Sequence, residues 1–228
     1  MKLNIKELLD FFDDRKDSER GDANALITLL GEELNASTYK HFRKDKVEIL
    51  NRAPSFGTKK GNRLDRWIVD RENNRLLQCE IKNWAASAID GKRLKSDASD
   101  EDTRRVVEYN WKNQLNVQLS NNIKHPGKVS KVLLKMKLPK EHETLKTEPL
   151  LIYWMPISLD RNGKEPLSKI SVKMLGLPIE STFTNLYIFS VSLYLRQLYK
   201  NGKGEKDINL DMAHLERRIK ILNKLKIK

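Results

Sequence analysis

Apolar residues recur every three or four positions in some stretches of this chain and alternate with polar ones in others, which separates helices from strands. Leu3, Ile5, Leu8, Leu9 and Phe12 predict a first helix, read as an addition to the core, and a charged stretch over 13–20 parts it from the next periodic segment. Asp22 can cap a second helix, in which Leu26, Leu29, Leu30 and Leu34 form one stripe ending near Tyr39. A short strand is expected at Val47–Leu50, then a basic, glycine-punctuated loop over 53–63. Two stronger strands, 64–70 and 76–83, flank Arg71-Glu72-Asn73-Asn74, whose polar, Asn-rich character suits a hairpin turn.

In the second half, 85–102 is polar and its 90–102 portion reads as a mobile loop. A helix resumes near Thr103, carrying Val106, Val107, Trp111 and Leu115 across the sheet. The remaining strand candidates are 129–136, 149–156 and 185–190, the last of which could instead open the following helix. A basic amphipathic helix closes the chain, with Leu215, Ile219, Leu222 and Leu225 on one side and Arg217, Arg218, Lys220 and Lys224 mostly away from it. The expected fold is α/β, a central mixed sheet of about four or five strands flanked by the Asp22 and Thr103 helices, with C-terminal helical additions. It is read as one domain over 1–228, with a helical extension at 1–20, a core at 22–125, and further strands and the basic helix at 126–228.

Charge narrows the partners. Forty-four Lys and Arg against 31 Asp and Glu give a formal net charge of +13, which suggests a polyanion, DNA or RNA, without establishing it. The single cysteine, Cys79, excludes an internal disulfide and a multi-cysteine zinc site. Acidic residues interrupt the N-terminal apolar stripe where a secretory signal would not, and the apolar runs at 150–156 and 186–195 fall short of the roughly 20 residues that span a bilayer. A soluble, cytoplasmic chain with no membrane partner is expected. There is no P-loop and no GxSxG, and the scattered His41, His125, His142 and His214 disfavour a histidine-metal site.

The chemistry gathers on the hairpin. Side chains alternate along a strand, so Gln78, Glu80 and Lys82 share one face while Leu77, Cys79 and Ile81 share the other. A turn centred between Glu72 and Asn73 sets Asp65 opposite Glu80, and a turn at Asn73-Asn74 sets it opposite Lys82. Any even-length loop keeps the three on one face. Two carboxylates so close repel unless a cation lies between them, and hard oxygen ligands suit magnesium or manganese. An ordinary charged hairpin surface would explain the ion pairs but not the apolar residues crowding them, including Trp67 and Trp84.

Leu64-Asp65, a spacer, then Leu76-Leu77-Gln78-Cys79-Glu80-Ile81-Lys82 resembles the Asp…Glu-x-Lys core of the PD-(D/E)XK nucleases, over roughly residues 22–119. The proline of the family name is replaced here by Leu64. The resemblance implies a restriction-endonuclease-like core, Asp65 and Glu80 as ligands of Mg2+ or Mn2+, the Ile81 backbone carbonyl as a further ligand, and Lys82 as catalytic base or electrostatic stabiliser. Many members also place a glutamate on the helix before the sheet. Of Glu32 and Glu33, Glu33 falls beside the leucine stripe and Glu32 points away, so Glu33 is the expected ligand and Glu32 secondary.

Around this core, Lys59, Lys60, Arg63 and Arg66 form an expected phosphate cradle just before and after Asp65, and Gln114 on the following helix is a secondary site candidate beside Asn113. The implied activity is magnesium-dependent hydrolysis of DNA, in restriction or phage defence, with a homodimer or a larger defence or repair complex as assembly. A repair or junction nuclease, an RNA-processing endonuclease and an inactive nucleic-acid-binding module of the same fold stay open.

Overall fold

Six strands form one mixed sheet in the computed structural model, in the spatial order Val47–Leu50, Arg66–Asp70, Arg75–Lys82, Lys146–Tyr153, Asn185–Ser190 and Leu167–Ser171. The structure describes residues 1–13, 20–50, 64–83, 94–115, 130–160, 162–176, 181–201, 206–213, 215–217 and 219–220, without the side chains of 20–30, Gln114 and Ser130. The strands are β2 (Val47–Leu50), β3 (Arg66–Asp70), β4 (Arg75–Lys82), β5 (Lys146–Tyr153), β6 (Leu167–Ser171) and β7 (Asn185–Ser190). β2, β3 and β4 form an antiparallel meander, β5 runs parallel to β4 and β7 to β5, and β6 returns antiparallel at the far edge. The helices are α1 (Ile5–Asp13), α2 (Arg20–Phe42), α3 (Asp100–Tyr109) and α4 (Val191–Asn201). An α/β sheet flanked by helices is therefore observed, with six strands rather than four or five.

Strand periodicity sorts the core into two layers. Leu77, Cys79 and Ile81 of β4 and Leu150 and Ile152 of β5 bury against Ile5, Leu9 and Phe12 of α1, Leu34 and Tyr39 of α2 and Leu195 of α4. On the other face, Leu151 and Tyr153 meet Leu115, Val132 and Leu133, while Trp67, Val69 and Leu76 gather about Met136. β4 lies between two neighbours and under both layers, so it is buried along its whole length. Its charged side chains are thereby forced into the interior.

The β3–β4 turn adopts the first of the two expected registers. Asp70 pairs with Arg75 around Arg71–Asn74, and Arg66 pairs with Cys79. Asn74 takes the left-handed conformation, φ 49°, that closes this even-length loop. The Asp70 carboxylate accepts from Asn73 N–H and Nδ2 and from Arg75 Nε at 2.9 Å, with Arg43 at 3.3 Å. Burial alone would raise its pKa, but Asn73, Arg75 and Arg43 together outweigh burial and hold it below the ordinary value. A depressed folded-state pKa stabilises above the unfolded value and is lost as pH falls through the folded one. Urea midpoints should therefore drop as pH falls below about 4, and less steeply in Asp70→Asn. A parallel fall in parent and variant would remove Asp70 from the acid response.

Three expectations change. The first helix is not an addition: α1 lies in the main core, and the strand preceding it, β1 (Lys2–Asn4), pairs with β8 (Asp207–Asn209) in a separate two-stranded sheet. The strand expected at 129–136 is a 3-10 turn, Ser130–Leu133, followed by irregular chain, because the buried Gln78 carboxamide takes the backbone carbonyls of Val132 and Leu134. β6 was not foreseen. The crossover helix is confirmed as α3, capped by the Ser99 hydroxyl accepting from Asp102 N–H, and it continues as a π-helical turn, Asn110–Leu115, whose Leu115 is buried. Of the closing basic helix, Leu215 is buried and Ile219 is exposed. Among the described residues no helix is long and apolar enough to cross a membrane.

Candidate active site

The meander brings Asp65, Glu80 and Lys82 to one place. The Arg66 to Cys79 and Trp67 to Gln78 pairs, carried one residue further, set Asp65 against Glu80. Asp65 N–H donates to the Cys79 carbonyl at 3.2 Å, which keeps the chain beside β4 just before β3 begins. Its carboxylate Oδ2 then accepts from the Ile81 N–H at 2.7 Å. The N–H and C=O of a strand residue point to the same neighbour, so the Ile81 carbonyl faces this edge too.

Glu80 and Lys82 are both buried, at 3 % and 7 % exposure, where an uncompensated charge would be costly. Lys82 Nζ donates to Glu80 Oε1 at 2.7 Å. Lys131, on the 3-10 turn, sets its Nζ 3.5 Å from Glu80 Oε2. Burial first, then the Asp65 carboxylate, raise the Glu80 pKa above its ordinary value, and the two lysines offset this only in part. Tyr153, the register partner of Lys82 on β5, lies on the same layer, and burial with a smaller contribution from Glu80 pushes its phenol well above the usual range.

The donor set fits a hard divalent ion. Asp65 and Glu80 supply carboxylate oxygens, the Ile81 carbonyl lies on the same edge, and Glu80 Oε2 is a buried oxygen with no hydrogen bond among the described residues. No group of three or more His, Cys, Asp or Glu gathers among the described residues. Magnesium suits such a sparse set, since it keeps several waters and binds through one or two carboxylates plus substrate phosphate.

Arg66 and Glu33 border a neighbouring groove. Arg66 Nη1 donates to Glu32 Oε2 at 3.2 Å and to the Asp65 carbonyl at 2.7 Å, so its guanidinium is held against α2. Glu33 lines a groove of about 590 Å3 between α2, β2 and the 211–217 segment, together with Arg66, Lys40 and Asp211. The helix does approach the site's strand: Asn35 Nδ2 donates to Asn83 Oδ1, and a Cβ at Gly31 would overlap the Asn83 carboxamide. Any larger residue at 31 would require the Asn83 side chain to move. Lys59, Lys60, Arg63 and Trp84 lie outside the described residues, Asn113 is exposed, and Gln114 sits on the π-helical turn with its side chain outside the described set. Lys131 is the residue that sequence reasoning missed, because nothing in its local pattern marks it among 44 Lys and Arg.

Comparisons with protein-family models, with curated proteins and with solved structures give no match to this chain.

Proposed function

We propose that this chain is a metal-dependent nuclease of the PD-(D/E)XK type that hydrolyses DNA phosphodiesters. The observation that carries the reading is the meeting of half-buried Asp65 with the buried Glu80 and Lys82 of β4, with the Asp65 carboxylate tied to the Ile81 N–H. A helix before the sheet and a crossover helix after the Glu-x-Lys strand agree with the resemblance. Burying the Glu80 carboxylate and the Lys82 ammonium beside Trp67 and Tyr153 would be an unfavourable way to build a surface hairpin.

A magnesium or manganese ion held by Asp65, Glu80 and the Ile81 carbonyl would supply Lewis acidity to a phosphate oxygen and make a bound water more acidic. The chain's own residues do the rest. Asp65 is oriented by its bond from Ile81 N–H to one oxygen, and its second oxygen would turn to the ion. Lys82, fixed by Glu80 at 2.7 Å, presents a positive charge where the attacked phosphoryl group gains negative charge. The net charge of +13 favours approach of a polyanion.

The test is incubation of the purified protein with supercoiled plasmid, linear duplex, single strands and RNA, in magnesium, manganese or EDTA. Cleavage of DNA with either metal, none in EDTA, and none from Asp65→Asn is the expected result. The Asn amide oxygen can still accept from Ile81 N–H, so that variant removes the charge while keeping the bond. Cleavage of RNA alone would change the substrate class, and no metal-dependent cleavage of any substrate would end the proposal.

A further inference from the structure

Among the described residues Glu80 has two cationic neighbours, and only one of them belongs to its own strand. Lys82 Nζ bonds Oε1 at 2.7 Å, whereas Lys131 Nζ stands 3.5 Å from Oε2 and arrives from the turn after α3. That turn is firmly placed. Gln78, two residues before Glu80 and on the same face, donates to the carbonyl of Val132 and to that of Leu134 at 2.9 Å, and Val132 and Leu133 are fully buried. The Lys131 side chain keeps 17 % exposure against 4 % for Glu80, which puts it at the mouth of the site and not on its floor.

A structural ion pair needs only Lys82, which already has the short, direct bond. Lys131 is near enough to neutralise Oε2 but too distant for a good hydrogen bond, and that oxygen has none among the described residues. Charge counting shows what the second lysine changes. Asp65 and Glu80 bring two negative charges, and Lys82 with Lys131 bring two positive ones. Among the described residues these four charges balance without a metal, and a divalent ion entering beside them adds positive charge that a phosphodiester relieves.

We propose that Lys131 is a placeholder cation, which neutralises Glu80 Oε2 in the metal-free site, yields that oxygen to a divalent ion, and then faces the substrate phosphate. This rests on the metal-nuclease reading and adds a regulation to it: metal binds weakly until nucleic acid is present. Linkage makes the coupling reciprocal, so the ion strengthens nucleic-acid binding by the same factor.

Calorimetric titration with Mn2+ tests this in the parent, in the charge-removing Lys131→Gln and Lys131→Met, and in the charge-keeping Lys131→Arg, each alone and with a phosphorothioate DNA duplex. Without DNA, the two neutral variants should bind Mn2+ about tenfold more tightly than the parent, within the usual range of such couplings, and Lys131→Arg should stay close to the parent. The duplex should raise Mn2+ affinity strongly in the parent and less in the neutral variants. If the parent binds Mn2+ and the neutral variants bind it equally or less well, Lys131 is an ordinary ion-pair partner, while the nuclease reading stands. If no form binds Mn2+ with or without the duplex, the metal site and the placeholder fall together.

Discussion

Lys82→Ala is expected to slow single-turnover DNA cleavage by about 10²- to 10³-fold, the usual loss when a preorganised electrostatic stabiliser is removed. The lysine is buried and bonded to Glu80 at 2.7 Å, so its charge is held in place before substrate arrives and needs no reorganisation during the reaction. Mn2+ binding through Asp65 and Glu80 should survive the substitution, since neither carboxylate is removed. DNA affinity should change much less than rate. A thermal melt separates this effect from unfolding, because Lys131 still faces Glu80 Oε2 and leaves that carboxylate partly compensated. Cleavage by a folded Lys82→Ala at the parent rate would show that Lys82 serves only to neutralise a buried glutamate.

Asp13→Ala should destabilise the fold by about 3–5 kcal/mol, the cost of leaving one member of a buried ion pair without the other. Asp13 is fully buried and accepts from Trp154 Nε1 at 2.8 Å, Ser192 Oγ at 2.5 Å and Arg196 Nη2 at 3.0 Å. Arg196 also donates to the carbonyls of Leu94 and Lys95, at 2.7 and 2.5 Å, so one guanidinium holds α1, α4 and the chain leading into α3. With Asp13 gone those carbonyls remain, but the buried positive charge has lost its counter-charge. Urea unfolding measures the loss, and Asp13→Ala with Arg196→Met should recover part of it. A loss below about 1 kcal/mol would place Asp13 among weak surface pairs.

The hairpin was legible because it depends on parity. The four residues Arg71–Asn74 make an even loop, so Asp65, Glu80 and Lys82 had to share a face in either register. Val47–Leu50 was legible as a short strand, whereas 185–190 stayed open between a strand and the start of the next helix, and the structure makes it a strand that leads directly into α4. Where the outcome depended on a distant partner, the pattern failed. The apolar residues at 129–136 look like a strand, yet Gln78 captures the carbonyls that a strand would have spent on a neighbour. β6 has the sequence LSKIS, too short and too polar to announce itself, and it forms because β7 offers an edge. Lys131 is invisible for the same reason, since only the folding back of its turn brings it to Glu80. Asp13 read as part of a charged separator, and its burial follows from Arg196, 183 residues away.

That separation has a consequence for synthesis. The inner side of α1, with Ile5, Leu9 and Phe12, finds its cover in Trp154, Phe189, Leu195 and Leu210, all translated long afterwards. At about 5–20 residues per second, the interval between Asp13 and Arg196 is roughly 10 to 40 seconds. Throughout that time a newly made amphipathic helix stands at the exit of the ribosome with its greasy side uncovered. Such a nascent chain is a natural client for a holding chaperone, and Glu80 and Lys82 of β4 cannot be sealed between β3 and β5 until β5 has emerged.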